Sequence, residues 1–134
     1  MHDSPASPTP APRFSIRTRL ASFIFAARGL RLLVRNEHNA RLHLAASTVA
    51  VGAGLLLRIS ASDWRWITLS IALVWLAEAI NTAIEDLCDH VTPQFHLVIG
   101  RVKDLAAGAV LVASAAAAVI GLLTFAPYAW ALRA

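Results

Sequence analysis

Residues 105–132, LAAGAVLVASAAAAVIGLLTFAPYAWAL, carry no charged side chain. That run is longer than the roughly 20 residues an α-helix needs to cross the hydrocarbon core of a bilayer. It therefore reads as a membrane span. Two shorter segments read the same way: 42–57, LHLAASTVAVGAGLLL, and 66–84, WITLSIALVWLAEAINTAI. The turn RISASD (58–63) separates them, and Trp64 and Trp66 stand where an interfacial aromatic belt is expected. With 57% hydrophobic and 15% charged residues and a mean hydropathy of +0.61, the 134-residue chain lies outside the soluble range and reads as one small membrane domain.

The expected fold class is an all-α membrane protein with an N-terminal amphipathic surface helix at about 14–36 and three spans at about 40–57, 64–87 and 103–131. The Pro/Ser-rich start, residues 1–13, offers almost nothing to bury and is expected to be a disordered tail. The apolar residues from Phe14 to Val34 are interrupted by arginines, which suits a helix lying on a membrane face better than a signal peptide.

Arginines also orient the chain. Arg13, Arg17, Arg19, Arg28, Arg31, Arg35 and Arg41 precede the first span, and Arg101 and Lys103 lie between the second and third. Only Arg58, Arg65 and Arg133 fall on the other side. The positive-inside bias places the N-terminus and the segment 88–103 in the cytoplasm. The net charge of +4 then reflects topology and contact with anionic lipid, and lends no support to nucleic-acid binding. Cys88 is the single cysteine, which excludes an intrachain disulfide and reads as packing.

Against this background WLAEAINTAIEDLCDH (75–90) places Glu78, Asn81, Glu85, Asp86 and Asp89 in or beside a membrane helix. At about 100° per residue, Glu78, Glu85 and Asp89 fall within about 20° of one line and Asn81 about 60° from it, so they form one stripe. A stripe of this kind could simply join helices, since Asn hydrogen-bonds across membrane interfaces. Intramembrane carboxylates cost a few kcal/mol each to insert, however, which favours function. Six of the eight acids, Glu37, Glu78, Glu85, Asp86, Asp89 and Asp104, gather near the cytoplasmic boundary beside basic residues. Such a set suits Mg2+, a hard cation that keeps waters and bridges to phosphate, and does not suit zinc. His38, His43, His90 and His96 lie near the same boundary without a metal-site spacing. They read as interfacial polar groups, with His96 kept as a nucleotide contact.

Pro93 should end the second span, and Gly100 should break the pattern again before RVKDLAAGAV opens the third. Lys103 and Asp104 would then occupy its first turn, where Asp104 meets the positive end of the helix dipole. Carboxylates and basic groups at a membrane surface can grip a nucleoside triphosphate, and a deeper glutamate, Glu78, can take the proton of a lipid alcohol. No GxxxxGK[ST] loop or protein-kinase signature is present.

Across residues 21–125 the chain resembles the small prokaryotic diacylglycerol and undecaprenol kinases. The resemblance is carried by GLRLLVRNEHNARLHL, EAINTAIEDLCDHVTPQFH and GRVKDLAAGAVLVAS, with Glu37, Glu78, Asn81, Glu85, Asp89, His96 and Lys103-Asp104 at familiar spacings. It implies a homotrimeric bacterial inner-membrane enzyme that moves the γ-phosphate of MgATP to a lipid hydroxyl at sites shared between subunits. Diacylglycerol is the first acceptor expected and undecaprenol the second. By position, Glu78 would be the general base, and Glu37 and Glu85 the metal ligands. Asn81, Asp89, Lys103, Asp104 and the Gln94-Phe95-His96 stretch would face nucleotide, with Arg17 or Arg19 reaching phosphate. Glu78, Arg41 and Ala107 would meet the lipid. The chain departs from the family pattern at Phe25, where tyrosine is usual, and at Gln94, where an acid is common. A proton-coupled transporter built on Glu78 would leave Glu37, Glu85, Asp89 and Lys103-Asp104 unexplained. A degenerate regulatory subunit would lack key acids, and none is missing.

Overall fold

The computed structural model describes residues 16–94 and 96–132, without the side chains of residues 17–19. The tail, Phe95, and the side chains of Arg17 and Arg19 thus lie outside the described residues. The elements run α1 (Ile16–Asn36), α2 (His38–Leu57), α3 (Ala61–Val91) and α4 (Leu97–Ala131). The described residues contain no strand, and α2, α3 and α4 are each long and apolar enough to cross a membrane.

Glu37 alone separates α1 from α2, its extended backbone (φ −92°, ψ 128°) turning the chain. The Glu37 amide closes on the Leu33 carbonyl at 2.9 Å. The Arg41 guanidinium donates to the carbonyls of Val34 (3.2 Å) and Arg35 (2.5 Å), satisfying acceptors that the end of α1 would leave open. Arg41, expected to meet the lipid, is exposed and also clamps the α1–α2 corner. On α1, Leu33 is buried while Phe23, Ile24 and Leu30 are exposed, so most of its apolar side is left to the surroundings.

At the opposite end, Arg58 adopts a left-handed conformation (φ 51°, ψ 48°) that stops α2. Among the described residues it is the only non-glycine with positive φ. Its amide and that of Ile59 return to the carbonyls of Leu55 (3.3 Å) and Gly54 (3.1 Å). Ser60 then caps α3, its Oγ accepting from the Asp63 amide at 3.2 Å. Tyr128 Oη donates to Asp63 Oδ2 (2.6 Å) and accepts from the Ser60 amide (3.0 Å), tying the far end of α4 to this turn. Trp64, half-buried at this end of the spans, packs on the α2 backbone, so that a Cβ at Gly54 would stand 2.9 Å from its ring. Trp66 remains exposed.

Helix α3 ends at Thr92, whose amide reaches the Cys88 carbonyl at 2.9 Å before Pro93 prevents continuation. The second expected break does not occur. Helix α4 starts at Leu97, and the Gly100 amide closes its first turn on the His96 carbonyl at 2.9 Å. A helical glycine costs only about 1 kcal/mol relative to alanine, which packing against α3 can outweigh. Lys103 and Asp104 consequently lie in the second turn, where Asp104 no longer meets the dipole's end.

The main packing pair is α3 with α4. Ile67, Ser70, Val74, Glu78, Asn81 and Cys88 are the buried residues of α3, recurring every three or four positions along one inward seam. The first half of that seam, Ile67, Ser70 and Val74, carries no charge; the second half begins with Glu78. Cys88 is free and buried, as a packing residue should be.

Candidate functional site

Exposure rises steadily along the polar half of the seam. Glu78 is 1% exposed, Asn81 is buried, Glu85 is half-buried, and the Asp89 side chain is 67% exposed. The 11 steps from Glu78 to Asp89 climb about 16 Å at about 1.5 Å each. A stripe that looks uniform in sequence is therefore a graded column, from a desolvated carboxylate to a solvated one.

Its members are linked in steps. Asn81 Nδ2 donates to Glu85 Oε1 at 3.0 Å, one helical turn along. Lys103 of α4 donates to Asp89 Oδ1 at 2.5 Å, and its charge is also attracted by Glu85. The carboxylates of Glu37, at the head of α2, and of Glu85 both repel that of Glu78. Glu37 makes no side-chain cap to its own helix, which leaves its oxygens available. At the deep end, His43 Nε2 of α2 lies 3.6 Å from Glu78 Oε2, and neither atom has a hydrogen-bond partner.

Two clefts flank the column. Between α3 and α4 runs an open groove of about 1180 Å³, with Asn81, Arg101 and Asp104 at its polar end and Leu73, Leu76, Ala77 and Val112 among its apolar walls. Ala106, Gly108 and Ala109 line it, whereas Ala107, expected to meet lipid, is exposed elsewhere on the helix. At 100° per residue Ala107 turns out of the face its neighbours present. A second cleft of about 590 Å³ lies between α1 and α3, with Asn36, Glu37, Thr82 and Asp86 supplying its polar atoms.

The structure thus sets Glu78, Asn81, Glu85 and Asp89 along one side of α3, pairs Asn81 with Glu85 and Asp89 with Lys103, and puts Asp104 on the groove beside Asn81. Gln94 and His96 are exposed in the α3–α4 turn. On α1, the Arg28 guanidinium lies 5.7 Å from the centre of the Phe25 ring, a cation–π contact at helical spacing. From sequence, His43 reads only as an interfacial polar group, Asp86 only as one of the clustered acids, and Arg101 only as a topology signal. A histidine in the first turn of a candidate span is itself costly to insert, a signal that singles out His43. Asp86 and Arg101 are shown as cleft-lining only by the packing of α1 and α4 on α3.

Among the described residues no three His, Cys, Asp or Glu side chains converge as a ready-made metal cage. Zinc and calcium sites assembled from protein ligands are of that kind. Mg2+ is different: it is commonly held by one or two carboxylates together with substrate phosphates, a pattern that needs no such cage.

Residues 24–125 match the family described as prokaryotic diacylglycerol kinase. The chain belongs to that family. It is 39% identical over 106 residues to the undecaprenol kinase of Bacillus subtilis, covering 79% of this chain and 86% of that protein. It is 34% identical over 103 residues to a diacylglycerol kinase of Synechocystis (76% of this chain, 59% of that protein) and 33% identical over 89 residues to the diacylglycerol kinase of Escherichia coli (66% and 73%). The chain is accordingly an ATP-dependent lipid kinase with membrane-spanning helices.

Proposed function

We propose that this kinase phosphorylates a long-chain lipid alcohol with MgATP, using Glu78 as the general base. The observation that carries the reading is the Glu78 carboxylate itself: almost fully buried, with Oε2 unpartnered, at the foot of a column of nucleotide-compatible groups. A desolvated carboxylate oxygen that lacks a hydrogen-bond partner is a strong acceptor for a hydroxyl proton. Phosphoryl transfer otherwise asks the protein mainly to position groups and balance charge.

In this reading Glu37 and Glu85 hold Mg2+, which when bound neutralises phosphate charge. Asn81 orients Glu85 through the 3.0 Å hydrogen bond. Lys103, kept in place by Asp89, meets a nucleotide phosphate, and Asp104 organises the polar end of the α3–α4 groove. Gln94, Phe95 and His96 border the base or ribose, with Arg17 or Arg19 reaching phosphate from α1. The lipid lies against the apolar groove, with its hydroxyl directed to Glu78.

The acceptor is undecaprenol in preference to diacylglycerol, on the strength of the 39% identity to a protein named undecaprenol kinase. A single chain leaves the groove and the Glu85–Asp89 end open at its side. A homotrimer with sites at subunit interfaces would enclose them. The arginine distribution supports a bacterial inner-membrane enzyme with its N-terminus and the α3–α4 turn in the cytoplasm. Transfer of labelled phosphate from ATP to undecaprenol and to diacylglycerol, offered in parallel in mixed micelles, tests the reading. Faster labelling of undecaprenol supports it, and faster labelling of diacylglycerol reverses the acceptor assignment.

A further inference from the structure

Four buried side-chain atoms lack a hydrogen-bond partner among the described residues: Glu78 Oε2, Asn81 Oδ1, His43 Nε2 and Ser114 Oγ. Buried polar atoms are nearly always satisfied, and exceptions concentrate where chemistry occurs. Two of the four face each other: Glu78 Oε2 and His43 Nε2, 3.6 Å apart on neighbouring helices. One proton between them would satisfy both, and the separation is only a few tenths of an ångström beyond a hydrogen bond. Catalytic hydrogen bonds are commonly long before substrate binds.

The spacing of α2 from α3 at this level is held by another contact. Trp75 Nε1 donates to Ser47 Oγ at 3.1 Å, while Ser47 Oγ donates to the His43 carbonyl at 2.7 Å. His43 also opens onto a cavity of about 240 Å³ between α2, α3 and α4, which is lined by Ser47, Ser70 and Ser114 as well as apolar residues. At about 30 Å³ per molecule in the liquid, that volume admits several waters, and the hydroxyls supply polar partners. The imidazole is 17% exposed. Of the histidines near this boundary, His38, His90 and His96 are exposed and distinct from this arrangement.

We propose that His43 resets the catalytic base, accepting from Glu78 the proton that Glu78 takes from the lipid. The inference rests on the reading of Glu78 as general base. In the transfer step the lipid O–H proton passes to Glu78 Oε2 as the lipid oxygen bonds to the γ-phosphorus. The bond from that phosphorus to the bridging oxygen breaks, and its electron pair leaves with ADP. Glu78 is now neutral and cannot accept a second proton. Transfer of that proton to Nε2 of the neutral imidazole restores the carboxylate, and the imidazolium, its ring turning toward the cavity, passes the same Nε2 proton on to solvent, which returns the imidazole to its starting tautomer for the next turnover. A carboxylic acid enclosed by protein has few other outlets. His43 here acts through Glu78 and is a positioning and relay residue, not one that touches substrate.

The account separates the first turnover from later ones. With Glu78 ionised at the start, His43→Gln should carry out the first transfer at nearly the wild-type rate and then slow by about tenfold or more in steady state, within the usual range for lost acid–base assistance. KM for ATP should stay unchanged. His43→Ala should behave likewise and recover when imidazole is added, since the cavity can admit it. Both are measured by rapid-quench and steady-state phosphate transfer in detergent, with thermal unfolding recorded alongside. A steady-state rate for His43→Gln equal to wild type overturns the relay, as does equal slowing of first and later turnovers or failure of imidazole to restore His43→Ala. Glu78→Gln separates the two readings. If it still transfers phosphate at the wild-type rate, the base assignment itself fails; if it is silent while both His43 variants turn over normally, only the relay fails.

Discussion

Lys103 of α4 donates to Asp89 of α3 at 2.5 Å, joining the two longest helices at the exposed end of the acidic column. The pair is solvent-accessible, with Asp89 67% exposed, so its contribution to stability is small. In the proposed function it holds the Lys103 ammonium within the field of Glu85. Lys103→Met is therefore expected to raise KM for ATP by about tenfold or more while leaving KM for the lipid and the unfolding temperature little changed. Steady-state transfer with each substrate varied in turn checks this. A change confined to the lipid KM would remove Lys103 from the nucleotide site.

Glu85 is tested through the metal. Glu85→Gln keeps an acceptor for Asn81 but halves the proposed carboxylate pair with Glu37. ATP binding should weaken in the presence of Mg2+ and differ little from wild type after chelation with EDTA, as followed by calorimetry. Equal affinities with Mg2+ would take Glu85 out of metal binding.

The close approach of Gly54 to Trp64 predicts a purely structural effect. Alanine at position 54 puts its Cβ 2.9 Å from the indole and 3.1 Å from Ile59 Cδ1. Gly54→Ala is expected to cost about 1–3 kcal/mol, the range for overpacking. Combining it with Trp64→Leu should recover part of that loss. Denaturant unfolding in micelles measures both, and a fully additive double mutant would contradict the contact.

Tyr128 makes its contacts at the other end of the molecule. Removing its hydroxyl in Tyr128→Phe breaks the links to Asp63 and Ser60. The unfolding temperature should fall with kcat and both KM values unchanged, because the acidic column lies toward the opposite end of α3. An altered KM for ATP would contradict that separation.

How far the sequence discloses this arrangement depends on the kind of information each residue needs. The charge-free run in α4 and the seam position of Glu78 follow from length and helical period, which are local properties. The stripe Glu78, Asn81, Glu85, Asp89 was legible for the same reason, but its gradient of burial was not, because depth depends on what α2 and α4 cover. Gly100 misled: a glycine reads as a break, yet its amide closes the first turn of α4 on the His96 carbonyl. Arg41 and Trp64 looked like membrane-facing groups, and each found a partner on the adjacent helix or corner. His43 reads only as an interfacial polar group because its significance is its distance to a residue 35 positions away, which no spacing rule encodes.

The central claim, that the buried Glu78 carboxylate takes the lipid proton, is tested most directly by Glu78→Gln assayed for both ATP binding and phosphate transfer. The account predicts MgATP affinity close to wild type together with transfer reduced by about 10²- to 10⁴-fold or more. Transfer at the wild-type rate would contradict it.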